Sequence, residues 1–95
     1  MNDMENAAIL KEALAVVNGD RQKEYGSPVP CYERVAALWS AWLGKAVTAH
    51  DVACMMALMK LGREAGAHKH DNLLDAAGYI GIAADCAQAG REAEA

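Results

Sequence analysis

The chain has 95 residues, a formal net charge of −4, a hydrophobic fraction of 54%, and two tryptophans and three tyrosines as its only aromatics. This length makes a single domain with a small core, and the acidic balance excludes a protein that grips duplex nucleic acid through its phosphates, which needs a basic face. No apolar run reaches the roughly eighteen residues a membrane span requires, and the acidic start Met1-Asn2-Asp3-Met4-Glu5 is unlike a signal peptide, so a soluble, cytoplasmic protein is expected.

Ala, Leu, Met and Val dominate the apolar set, which favours closely approaching helices over a β-branched sheet. The first predicted helix, Glu5 to Asn18, carries Ala8, Ile9, Ala13, Leu14, Val16 and Val17 around Lys11 and Glu12, with Gly19 as a left-handed stop. A polar connector follows from Asp20 to Pro30, with Tyr25, Gly26 and both prolines of the chain. Pro30 suits the first turn of a second helix, whose Val35, Leu38, Trp39, Trp42 and Leu43 form a core face, the tryptophans being core or subunit interface.

Gly44 ends that helix, and Thr48 with Asp51 opens the third as a variant capping box. The third helix, Ala49 to Glu64, is apolar nearly all round and is expected to be central, with Met56, Lys60 and Arg63 sharing one side. After a loop from Gly66 to His70, a fourth helix runs from Asp71 to about Gln88, with Gly78 and Gly81 as points of close backbone approach. The expected whole is an all-α, antiparallel four-helix bundle-like domain, 1–95, with its core over about 5–88 and a frayed tail at 89–95. So much apolar surface on a short helical chain points to a homo-oligomer, a dimer or larger. Cys31, Cys54 and Cys86 read as reduced core residues, and His50, His68 and His70 as solvated loop residues whose spacing does not suit zinc.

Chemistry concentrates where Asp71, Asp75 and Tyr79 fall four apart on one side of the fourth helix. Asp71 and Asp75 suit a hard cation such as Mg²⁺; alternatively Asp71 caps the helix and Asp75 pairs with Lys60 or Arg63. Lys60 and Arg63 suit a phosphate or those same carboxylates. Arg21, Lys23, Tyr25 and Ser27 are candidate base or phosphate contacts, or a structural turn over the bundle end. Tyr79 either stacks on a base or hydrogen-bonds Asp75. Asp51 is first a cap and secondarily a metal ligand.

Three groups in this order, Glu24-Tyr25-Gly26, Thr48 to Arg63, and Asp71 to Tyr79, resemble small phage and prophage proteins related to the nucleotide modification associated domain. More distantly they resemble the all-α nucleoside triphosphate pyrophosphatases, the MazG-like and dimeric dUTPase-like superfamily. The resemblance spans roughly Arg21 to Ala84 and implies a dimeric or tetrameric four-helix core, placed in the host cytoplasm if phage-encoded. In that core acidic residues hold Mg²⁺ against a nucleotide, which is cleaved to a monophosphate and pyrophosphate.

The family's Glu-x-x-Asp motif maps onto Asn72-Leu73-Leu74-Asp75, with Asp71 able to replace the displaced acid. On that mapping Asp75, Asp71 and Lys60 are the candidate catalytic residues. Arg63, Tyr25, Arg21, Tyr79 and Asn72 are the nucleotide contacts, and Asp71, Asp75 and Asp51 the metal ligands. The family's other motif, Glu-x-x-Glu, is absent: Asp51 is followed three and four positions later by Cys54 and Met55. Three functions therefore stand open: a Mg²⁺-dependent nucleotide pyrophosphatase, a non-catalytic protein that sequesters a nucleotide, and a structural bundle whose polar stripe is internal ion pairing.

Overall fold

The structure is a computed structural model that describes residues 4–18 and 26–94. Among these it is all-helical: α1 (Glu5–Asn18), α2 (Val29–Leu43), α3 (Ala49–Gly66) and α4 (His70–Glu94). No helix is long and apolar enough to cross a membrane among the described residues. The expected Gly19 stop falls outside them.

Each boundary has a local cause. The Val29 backbone N–H donates to Ser27 Oγ (3.2 Å), and Pro30 sits in the first turn of α2, where its missing N–H costs nothing. Gly44 closes α2 at φ 67°, a left-handed position that suits glycine, and its N–H donates to the Ser40 carbonyl. Ser40 then fastens the turn to α3: its hydroxyl donates to the Val47 carbonyl (3.1 Å) and accepts from the Val47 N–H (2.8 Å). The capping box opens α3 as expected, with the Asp51 N–H donating to Thr48 Oγ1 (3.1 Å) and the Thr48 N–H donating to Asp51 Oδ2 (3.0 Å).

Three boundaries differ from the sequence expectation, the first being that α4 starts at His70 and not at Asp71. α3 continues past Glu64 to Gly66, and α4 continues through Gly90 to Glu94, so the 89–94 segment is helix and not a frayed tail. Its Ala, Arg and Glu residues are good helix formers, and the Gln88 amide just before it donates to Glu92 Oε1 (3.1 Å) one turn on.

α3 and α4 form the central antiparallel hairpin. α2 packs mainly on α3, and α1 touches only α4 among the described residues. The core is built largely of alanine: Ala13, Ala36, Ala53, Ala57, Ala76 and Ala83 are buried with Val52 and Cys86. Small residues let the helices approach closely but leave the large ones outside.

That overturns part of the expected α2 core face. Leu38 and Leu43 are exposed, and Trp42 is 89% exposed. Likewise the outer side of α3 is open at Met55, Leu58 and Met59, so this helix is central within the chain on one side only. Cys31 is exposed rather than core, Cys54 is half-buried and Cys86 buried, and all three are free thiols. A Cβ built on Gly81 meets nothing within 4 Å, so no close backbone approach occurs there.

Candidate functional site

The hairpin register brings together the residues that the sequence singled out on α3 and α4. Lys60 Nζ lies 2.9 Å from Asp75 Oδ2; the Lys60 side chain is 17% exposed and that of Asp75 44%. Lys60 thus runs its stem along the seam and delivers its ammonium to the rim. Arg63, one turn further along α3, is exposed and makes no ion pair among the described residues. Asp71 is exposed in the first turn of α4 and makes neither ion pair nor hydrogen bond with them; it lies inside the helix that begins at His70 and is not its cap. Tyr79 is half-buried, one turn beyond Asp75, and makes no hydrogen bond to Asp75.

Asp51 stands apart. It lies nine residues before Lys60, roughly 14 Å along α3 at 1.5 Å per residue, while Asp71 is one turn beyond the pair in the opposite direction. Its carboxylate serves the capping box, and the hydrogen bonds from Thr48 hold its pKa below the usual value of 3.8. In one chain Asp51 does not join Asp71 and Asp75, and among the described residues no three His, Cys, Asp or Glu side chains are grouped closely enough to hold a metal ion.

Asn72, the expected nucleotide contact, is instead a structural residue. It is buried, and its amide donates to Glu64 Oε1 (3.4 Å) and the Ala67 carbonyl (3.5 Å). The same Glu64 oxygen accepts from the Lys69 N–H (2.9 Å), and Glu64 Oε2 contacts His68 Nδ1. These contacts, that with the Lys69 N–H first, hold the Glu64 carboxyl below its usual range. Apolar spacing does not single out Glu64; its signal is an acid near the end of a helix, five residues before the Lys69 N–H that it accepts from.

The histidines have separate partners: His50 Nε2 lies 3.6 Å from Cys54 Sγ, His68 is held by Glu64, and His70 Nε2 lies 2.7 Å from Glu12 Oε1 on α1. The contact with Glu12 raises the His70 pKa above 6.5. Two grooves open away from the Lys60–Asp75 pair. One, about 480 Å³, lies between the start of α1 and the α3–α4 turn at Ile9, His68, His70 and Leu73. The other, about 450 Å³, lies between the starts of α2 and α3 and the end of α4, at His50, Cys86 and Arg91. Arg21, Lys23 and Tyr25 lie outside the described residues, and Ser27 is exposed, bonded to the start of α2.

Chemically, the seam offers one cation held by a replaceable partner, a second cation beside it and a spare carboxylate. Asp71 and Asp75, one turn apart, are the carboxylates that could hold a divalent cation. They do not suit a metal cluster built by the protein alone.

No solved structure matches the chain. It is 41% identical over 75 residues to the Gene 55 protein of Mycobacterium phage D29, covering 78% of this chain and 50% of the relative. It is 42% identical over 78 residues to the Gene 55 protein of Mycobacterium phage L5, covering 79% of this chain and 49% of the relative. The chain therefore spans about half the length of the curated relatives it matches. Residues 8–87, nearly the whole helical assembly, match one family, and the chain belongs to it: the domain of unknown function DUF6378.

Proposed function

We propose that this domain is a nucleotide-handling module of a phage-type protein, which holds the phosphates of a nucleotide at the α3–α4 seam. The observation that carries this reading is the Lys60 ammonium at the seam, paired with a partly exposed Asp75 and flanked by an Arg63 that has no ion pair among the described residues. A phosphate can replace Asp75 as the partner of Lys60, because the Asp75 carboxylate is partly exposed and water can take it up as the pair exchanges. Arg63 adds a planar donor fork. The ordered motifs that resemble the all-α pyrophosphatases support the same reading.

Two forms of it differ in chemistry. Sequestration of an intact nucleotide needs only the cations and is the form the side chains favour, since α3 carries no Glu-x-x-Glu pair. Cleavage to a monophosphate and pyrophosphate is the second reading, favoured by an Asp71, one turn from Asp75, that has no ion pair or hydrogen bond among the described residues. When bound, Mg²⁺ would neutralise charge on the phosphoryl group and orient water. Asp71 and Asp75 would hold it, Lys60 and Arg63 would steady the non-reacting oxygens, and Tyr79 would flank the base.

The test is isothermal titration of the 95-residue chain with a panel of ribo- and deoxynucleoside triphosphates, with and without Mg²⁺. Binding that is lost in Lys60→Met supports the proposal; no heat for any nucleotide rejects it. Pyrophosphate release that disappears in Asp75→Asn selects cleavage, and recovery of intact nucleotide from the complex selects sequestration.

A further inference from the structure

Among the buried Ala57 and Ala76, the α3–α4 seam carries Lys60 and Glu64, four apart on α3, and Asn72 and Asp75, three apart on α4. Residues at these spacings share a side of their helix, so one ammonium lies within reach of two carboxylates. Lys60 pairs across the seam: its Nζ lies 2.9 Å from Asp75 Oδ2, and it makes no ion pair with Glu64. Yet Glu64 is its neighbour on the same helix and, with its side chain 19% exposed against 44% for Asp75, is the less hydrated of the two acids.

The turn between the helices accounts for this. Glu64 Oε1 accepts from the Lys69 backbone N–H (2.9 Å) and, at 3.4 Å, from the Asn72 amide, while Oε2 contacts His68. Both oxygens are thereby engaged toward the start of α4, whereas Lys60 lies one turn back along α3. The bond from Lys69 is short and that from Asn72 long, so the Lys69 N–H is the donor whose loss frees the carboxylate.

We infer that Glu64 is a positioning residue for the phosphate site: committed to the α3–α4 turn, it leaves the Lys60 ammonium to Asp75, and released from the turn it captures Lys60 and closes the site. The site's ligand rests on the nucleotide reading; the exchange of ion pairs does not. Closure follows from exposure. Asp75 can yield Lys60 to a phosphate and return to water, whereas Glu64, deeper in the seam, holds the ammonium against the same exchange.

Lys69→Pro removes the donor N–H. Residue 69 precedes α4 as Pro28 precedes α2, and His68 before it is not helical, so the position accepts proline. Double-mutant cycles in urea denaturation, with Lys60→Met, Asp75→Asn and Glu64→Gln, read the pairs without any nucleotide. In the parent chain Lys60 should couple to Asp75 by about threefold or more in the unfolding equilibrium constant and to Glu64 by less than about 1.5-fold; in Lys69→Pro the two couplings should exchange. Titration with a nucleoside triphosphate should show affinity about fivefold weaker in Lys69→Pro and restored by adding Glu64→Gln, which leaves no carboxylate to capture Lys60. A purely structural turn residue predicts no such rescue. Glu64→Asp, too short to reach the turn but still charged, should behave as Lys69→Pro does and serves if the proline variant does not fold. Coupling of Lys60 to Glu64 already present in the parent chain, or absent from both releasing variants, overturns the inference. So does a triphosphate affinity that the exchange of pairs leaves unmoved. A parent chain that binds no nucleotide instead removes the nucleotide reading, and the couplings alone then decide whether Glu64 directs Lys60.

Discussion

Lys60 and Asn72 look alike in sequence as polar residues on apolar helices, yet the fold gives them different work. Lys60 runs along the seam and ends on the partly exposed Asp75. Asn72 is buried at the hairpin turn, where its amide ties α4 to Glu64 and to the Ala67 carbonyl at the end of α3. At 3.4 and 3.5 Å these bonds are long, and their loss is correspondingly modest. Asn72→Ala should lower the unfolding free energy by about 1 kcal/mol in urea denaturation and leave nucleotide affinity unchanged, whereas a ligand role predicts the reverse. The acid at Asp51 was legible as a cap because its partner is only three residues away. Glu64 and Asn72 were not, because eight residues and a turn separate them, and only the hairpin register brings them together.

At the scale of elements, four helices were readable from apolar spacing, from Pro30 and Gly44, and from the Thr48–Asp51 box. Their unequal attachment was not. α1 rests on α4 alone among the described residues, buries Ala13, and is tied across by the contact between Glu12 and His70. Because the Glu12 carboxylate raises the folded-state pKa of His70, the docked form takes up the proton more readily than the undocked one. The contact therefore favours docking fully below about pH 6.5, and that contribution disappears as pH rises through the raised value. Hydrogen exchange should show α1 opening before α3 and α4, and its protection, corrected for intrinsic exchange, should fall as pH rises above about 6.5. In His70→Asn that fall should flatten while protection of α3 keeps its wild-type pH dependence. An α1 as well protected as α3 at every pH would show that the helix is held by other means.

For the molecule as a whole, the distribution of side-chain size is inverted relative to an ordinary core. The residues that are buried are mostly alanines, and the large apolar ones, Leu38, Trp42, Leu58 and Ile80, face outward. Periodicity could identify apolar stripes but could not say which of several stripes on a helix faces the rest of the chain. With so many alanines available, close packing selected the small ones and left the large ones exposed. Stability of the single chain should then follow burial and not side-chain size. Val52 is 1% exposed, the largest fully buried side chain, and Val52→Ala should cost roughly 2 kcal/mol through lost contacts and the space left behind. Trp42→Ala removes a far larger side chain, but one that is almost wholly in solvent, and at micromolar concentration it should change the unfolding free energy by about 0.5 kcal/mol or less. Denaturation of the two variants at matched low concentration checks this directly. If Trp42→Ala proved the more damaging, the tryptophan would already be covered in the folded state, and α2 would have to be counted as part of an interface.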